Sequence, residues 1–221
     1  MALIYEMHIA VPVTTKEKMD QVMADLKSIG IEKTKYFHQV HNIITERQDC
    51  NVPPTGHDLD NPGAMATVKT ATREEAVTHI LNGMQVLKDH GLHGNFELEG
   101  ILAPSIEDYE VLPVSEEFPG YSNVPDSPAY ENHMVWKAPL SELPDFEEIT
   151  NLIRENYDLQ VHQIVDFCRV QYPTAEDVVS RVATIYQPSR EAALKAGKLL
   201  QNRKNTGSAY AVTEQVMAVG H

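Results

Sequence analysis

The chain has 221 residues and a formal net charge of −14, enough length for one large domain or two of about 100 residues that each bury a core. Its 32 acids against 18 lysines and arginines make a field that repels phosphate backbones and anionic lipid heads, which argues against nucleic acid and membrane partners. Cys50 and Cys168 are the only cysteines and occupy unmatched positions, and the first 13 residues carry neither a basic lead nor a long apolar run, so a soluble protein of the reducing cytoplasm is expected.

Residues 3–11 alternate, with Leu3, Tyr5, Met7, Ile9 and Val11 on one face and Ile4, Glu6, His8 and Ala10 on the other, which predicts a strand with one buried face. Thr14 followed by Glu17 has capping-box spacing. Met19, Val22, Met23, Leu26 and Ile29 then recur at helical spacing up to Gly30,. Residues 35–45 read as a second strand, and 46–63, with three prolines and two glycines, as a long loop. A third strand over 65–70 precedes a second capping box at Thr72 and Glu75, a helix carrying Val77, Ile80, Leu81, Met84 and Leu87, and a fourth strand over 96–102. The order is βαββαβ. Residues 103–129, with five prolines, read as a partly extended connector in which 111–114 could add a short strand. The pattern then repeats: strands over 130–137, 161–171, 178–187 and 209–219, a helix after Pro144 and another capped by Ser189.

The repetition extends to individual residues. Tyr5-Glu6-Met7-His8 returns as Tyr130-Glu131-Asn132-His133, 125 positions later, and Arg73-Glu74 returns as Arg190-Glu191, 117 positions later. Echoes in the same order on the same element types indicate a duplication with a longer loop in the first copy. The domains expected are repeat 1 over 1–103, a connector over 104–129 and repeat 2 over 130–221.

The βαββαβ order resembles the ferredoxin-like fold in tandem, and the opening strands resemble those of uncharacterised bacterial two-repeat proteins with Tyr/Phe-Glu-x-His in each half. The resemblance implies an α+β protein built of two duplicated ferredoxin-like domains, each an antiparallel four-stranded sheet in the order 4-1-3-2 with two helices on one face. It implies no particular activity. Two-histidine phosphoesterases also pair two lobes, but the hydroxyl that follows their histidine is missing from His8-Ile9-Ala10 and His133-Met134-Val135. A glyoxalase-type βαβββ module conflicts with the helix before strand four. Glu97-Leu98-Glu99 resembles a triphosphate-tunnel strand but lacks the required lysine, since Ile101 stands there.

Strand parity sets Glu6, His8, Thr67, Lys69, Glu97 and Glu99 on the face away from the helices. Strand one lies between strands four and three, so Glu6, His8, Thr67 and Glu99 should converge, and Glu131, His133, Thr184 and Glu214 should do so in the second copy. Paired carboxylates and imidazoles can act as general acids and bases or hold a divalent metal. The plain alternative is a wet sheet face with cross-strand Glu–His pairs. Arg73 and Arg190, each opening a helix against its dipole, are candidates to meet an anionic ligand, or to form a salt bridge to the acids that follow them. His38 and His162 read as edge-strand residues, and His57, Asp58 and Asp60 as a turn cluster that could also serve as ligands. The expected function is binding of a small polar ligand at these patches, with His8 and His133 as catalytic groups. The competing reading is a non-catalytic oligomerisation or protein-interaction module, a homo-oligomer burying the same faces.

Overall fold

The computed structural model describes residues 4–12, 14–43, 63–124 and 127–221. The loop expected over 46–63 lies outside the described residues except for Gly63, as do His57, Asp58, Asp60 and Cys50.

The first half runs β1 (Tyr5–Val11), α1 (Lys16–Ser28), β2 (Lys33–Asn42), β3 (Ala64–Thr70), α2 (Arg73–Asp89) and β4 (Asn95–Ile101). The helix α1 starts one residue later than expected, because Thr15 rather than Thr14 accepts the Lys18 amide. At α2 the expected Thr72 accepts the Glu75 amide. The connector holds a short helix, α3 (Val114–Glu117), where a strand was expected. The second half follows with β5 (Tyr130–Pro139), α4 (Phe146–Tyr157), β6 (Gln163–Cys168), β7 (Val178–Gln187), α5 (Arg190–Leu200) and β8 (Tyr210–Gly220). Asp145 caps α4 and Ser189 caps α5, each accepting an amide three residues on.

Each half has the ferredoxin-like strand order 4-1-3-2, as β4-β1-β3-β2 and β8-β5-β7-β6, all antiparallel. The α+β class stands, but two separate open sheets do not. The edge strand β2 pairs with β6, and β4 pairs with β8, so the eight strands close into one barrel. An open four-stranded sheet leaves two edges of unsatisfied N–H and C=O groups, and edge-to-edge closure pairs Tyr36–Asn42 of β2 with β6 and Phe96–Ile101 of β4 with β8,. Both seams between the halves carry a bulge, at Phe37/Gln39 and at Leu98/Glu99, where the extra residue adds the bend that closure needs.

Closure gives the sheet an inside and an outside. Outside, Met7, Ile9, Phe96 and Leu98 pack with Met19, Leu26, Ile80 and Leu87, and Met134, Ile164, Ala183 and Ile185 pack with Ile149, Ile153 and Leu200. Over the β4–β8 seam the connector, with its short α3, packs through Ile106, Tyr109, Leu112, Val114 and Phe118, all buried, with Gln215 gripping both the amide and the carbonyl of Tyr109. The helices approach closely enough that a Cβ on Gly83 would lie 2.2 Å from Ile9 and one on Gly197 2.1 Å from Thr213. Among the described residues no helix is long and apolar enough to cross a membrane.

Candidate functional site

An eight-stranded barrel is just wide enough to hold one small ligand, and this one encloses a cavity of about 340 Å³. Glu6, His8, Thr67, Glu99, Glu131, His133, Thr184 and Glu214 all line it. The two patches therefore face each other across one interior. The first-repeat register sets His8 opposite Thr67 on β3 and Glu97 on β4, with Glu6 opposite Lys69 and Glu99. The second sets His133 opposite Thr184 and Val212, with Glu131 opposite Tyr186 and Glu214. The duplication is thus exact in register but differs at two positions, Lys69 against Tyr186 and Glu97 against Val212.

Those two differences break the symmetry of the charges. Lys69 forms a salt bridge with Glu6, which leaves the Glu6 carboxylate 4.0 Å from His8 Nε2 and already partnered. His8 Nδ1 lies 2.9 Å from Thr67 Oγ1 and Nε2 lies 3.1 Å from Glu99 Oε2. Burial pulls its pKa below the usual 6.5, outweighing the nearby glutamates, so His8 is a neutral imidazole at pH 7,. In the second half Tyr186 brings no cation, and His133 alone answers two carboxylates: Nε2 is 3.3 Å from Glu131 and Nδ1 is 3.0 Å from Glu214. Burial opposes its charge, but Glu131 and Glu214 together lift its pKa well above 6.5. His133 is therefore an imidazolium.

The remaining acids divide in the same way. Burial works against the Glu131 carboxylate, yet the charge on His133 and hydrogen bonds from Glu99 and His133 hold its pKa at about 2. Burial, then repulsion from Glu214, Glu97 and Glu131, pushes Glu99 well above 4.5, so Glu99 keeps its proton and donates it to Glu131. Burial and the Glu131 charge raise Glu97 to about 8. Among the described residues no side chain hydrogen-bonds to Glu97, so its O–H is free for a guest. Oxygens of Glu97, Glu99 and Glu131 lie within 4.8 Å of one another, a spacing that would admit a divalent cation. A cation there would have to displace the proton shared by Glu99 and Glu131 and the one on Glu97.

Glu97 was not part of the converging set read from the repeat, because its counterpart is Val212 and a duplication signal cannot find an unpaired residue. Strand parity alone did put it on the right face. Arg73 and Arg190 are not in the cavity. Arg73 reaches Glu110 at 3.2 Å and Glu74 at 3.7 Å, and Arg190 reaches Asp108 at 2.8 Å and the Ile106 carbonyl. Both fasten the connector, one from each half; of the two, Arg73 alone also pairs with the acid that follows it, Glu74. His38 and His162 are not at edges either. His38 falls at the bulge that interrupts the β2–β6 seam, and His162 accepts the Tyr186 amide at 3.2 Å through Nδ1. The bulge reverses inside and outside along β2, so Phe37 and Val40 both join Val165, Phe167, Met65 and Val182 in an apolar cluster within the barrel. The cavity therefore has an acid–base pole and an apolar belt.

No family model and no curated protein matches the chain. Solved structures with partial likeness include the regulatory subunit of aspartate kinase from Thermus flavus, with TM-score 0.32, 12% identity, 91% of this chain and 96% of that one. A chlorite dismutase mutant from Candidatus Nitrospira defluvii has TM-score 0.30 and 12% identity, covering 96% of this chain and 90% of that one. An anthrone oxidase-like protein has TM-score 0.29 and 11% identity, covering 98% and 92%. Likenesses this remote carry nothing about activity, and the architecture rests on the chain's own strand pairing.

Proposed function

We propose that the barrel interior binds a small organic molecule with an apolar body and catalyses proton transfer on it, with a carbonyl compound undergoing enolisation or isomerisation as the reaction class. The observation that carries this reading is the pairing, across one strand register, of a neutral imidazole with a proton-bearing carboxyl: His8 sits opposite Glu97, one below its ordinary pKa and the other raised to about 8. Titratable neighbours pushed apart in this way are how a site holds a base and an acid ready at the same pH. In the forward step the Thr67 hydroxyl turns off His8 Nδ1, which then takes the proton from the carbon next to the carbonyl. The electron pair moves into the new C=C bond, and Glu97 gives its proton to the carbonyl oxygen. For the return, His8 gives its proton to carbon while Glu97 takes the O–H proton back as the C=O bond re-forms, so both groups regain their starting states. Thr67 and Glu99 orient the His8 ring, and His133, held by Glu131 and Glu214, is a fixed positive charge that favours the developing oxyanion.

The competing module reading needs the bare sheet faces for a second copy, and here those faces line the inside of a closed barrel. The test is solvent exchange. Protein in D₂O is incubated with cyclohexanone, acetophenone and phenylpyruvate, and loss of the α-proton is followed by NMR. Exchange should exceed the buffer rate for at least one probe and fall at least about 100-fold in His8→Ala and Glu97→Gln. It should be slow at low pH, where His8 is charged, and fall again as Glu97 loses its proton near pH 8. Exchange at the buffer rate for every probe, or unaltered in both variants, would overturn the reading.

A further inference from the structure

The acid–base pole uses only part of the cavity wall. On the apolar side Lys33 and Lys35 also line the cavity, from β2 positions opposite Thr67 and Met65. Lys33 therefore lies beside the threonine that holds His8. The Lys35 ammonium sits 5.8 Å from the centre of the Phe167 ring. Two more cations stand close by. Lys137 is two residues beyond the cavity-lining Val135 on β5 and continues its inward-facing row,, and Arg169 directly follows the last residue of β6. Burial lowers the pKa of Lys35, and the charges of Lys137, Arg169 and Lys33 lower it further against an opposing pull from Glu6, as cations gathered at one end of the cavity would.

The clustering, rather than the lack of partners, sets these four apart: in a chain whose acids outnumber its lysines and arginines 32 to 18, they gather around Lys35. Among the described residues Lys33, Lys35, Lys137 and Arg169 have no carboxylate within ion-pair distance. Like charges held together without a counter-ion repel one another, and an incoming anion removes that cost.

We propose that the guest of the barrel is an anion, a small carboxylate whose charged end docks on Lys33 and Lys35 while its apolar body lies along Phe37, Val165, Phe167 and Val182. The proposal rests on the cavity reading above and narrows it to oxo-carboxylic acids: carboxylate at the lysines, carbonyl at His8 and Glu97. The size fits, since 340 Å³ is at the lower end of small-ligand pockets. The lysines then attract, at the cavity, what the net charge of −14 disfavours elsewhere,.

The test uses two dyes with the same aromatic skeleton, anionic 8-anilinonaphthalene-1-sulfonate and neutral N-phenyl-1-naphthylamine, both of which brighten in apolar cavities. Wild-type protein should bind both. The double variant K33Q/K35Q should weaken the anionic dye about tenfold and the neutral one less than twofold, while K33R/K35R keeps wild-type affinity for both. Raising NaCl from 25 to 250 mM should weaken only the anionic dye, and only in proteins that retain the charges. Phenylacetate, but not phenylacetamide, should displace it. Neutral-dye binding with no response of the anionic dye to the glutamine variant sinks this inference and leaves the cavity reading standing. If the wild type binds neither dye, the cavity reading falls and takes the inference with it. A glutamine variant that loses both dyes equally counts against the inference, with near-UV circular dichroism separating misfolding from loss of the pocket.

Discussion

Replacing His133 with alanine should destabilise the protein far more than replacing His8, although the two occupy equivalent places in the repeat. His133 is the cation between Glu131 and Glu214, whose side chains are 7% and 4% exposed. Removing it leaves two buried carboxylates facing each other, and breaking a buried ion pair from one side costs about 3–5 kcal/mol. For a domain of this size that is a fall in Tm of about 6–20 °C, at about 2–4 °C per kcal/mol. His8 is neutral, so its loss removes hydrogen-bond partners from Thr67 and Glu99 and costs about 1–2 kcal/mol. The gap also has a pH signature. A raised histidine pKa gives stability that is complete below the unfolded value of 6.5 and is lost as pH climbs through the folded value,. A depressed glutamate gives stability that is complete above the unfolded value of 4.5 and is lost as pH falls towards about 2,. Both contributions are complete between 4.5 and 6.5, so the Tm deficit of H133A should be greatest there. Thermal melts of wild type, H8A and H133A from pH 4 to 9 measure it. Equal deficits for the two alanine variants would refute the asymmetric charge assignment.

Glu97 carries the opposite sign. Its folded pKa of about 8 against 4.5 means that its burial destabilises the protein increasingly as pH rises through that interval,. E97Q should therefore melt like wild type at pH 4.5 and several degrees higher at pH 8.5, and a variant less stable than wild type at pH 8.5 would contradict this. Since protons occupy the Glu97–Glu99–Glu131 group, Mn²⁺ or Zn²⁺ at 1 mM should leave Tm unchanged at pH 6. A saturable rise at pH 6 in wild type that is absent from E97Q would replace the proton arrangement with a metal centre. A fragment of residues 127–221 would expose both edge strands of its sheet, β6 and β8. It should self-associate, with light scattering reporting a dimer or larger species rather than a stable monomer.

The sequence made the half-barrel legible and hid the barrel. Alternation along Tyr5–Val11 and the echoed Glu-x-His strands correctly separated the helix-facing residues from the Glu6, His8, Thr67 and Glu99 set, because one side of those strands is apolar and the other is not. The second strands resisted the same treatment. Every residue of β6 is buried, and β2 reverses its facing at the bulge beside His38, so apolar residues appear on both sides and no period-2 pattern survives. Those are the strands that close the barrel. Edge pairing has no local signal, since any strand edge offers the same N–H and C=O groups, and only the burial of Phe37, Val165 and Phe167 on what should have been a wet face betrays it. Arg73 and Arg190 misled for a related reason. Their repetition is real, but what they repeat is a grip on the connector from two equivalent helices.

A duplicated site of strict twofold symmetry would have a chemical handicap. Two identical His–Glu pairs sharing one interior titrate as one coupled set, so neither half is assigned the role of base or acid. The substitutions that separate the copies remove this degeneracy with little structural change. Lys69 pairs with Glu6, and burial keeps His8 uncharged. Tyr186 brings no charge, and that leaves Glu131 to ionise His133. Glu97, where the other copy has Val212, adds the one cavity-lining carboxyl with no hydrogen-bonding side chain among the described residues, held protonated by burial and by the Glu131 charge that His133 sustains. The second half can thus be read as the electrostatic support of the first: its fixed imidazolium–carboxylate cluster keeps a base and an acid of the other half in opposite protonation states at one pH. On this account the closed barrel is required, since only edge pairing on both seams brings the two patches within electrostatic reach of each other and keeps bulk water from screening them.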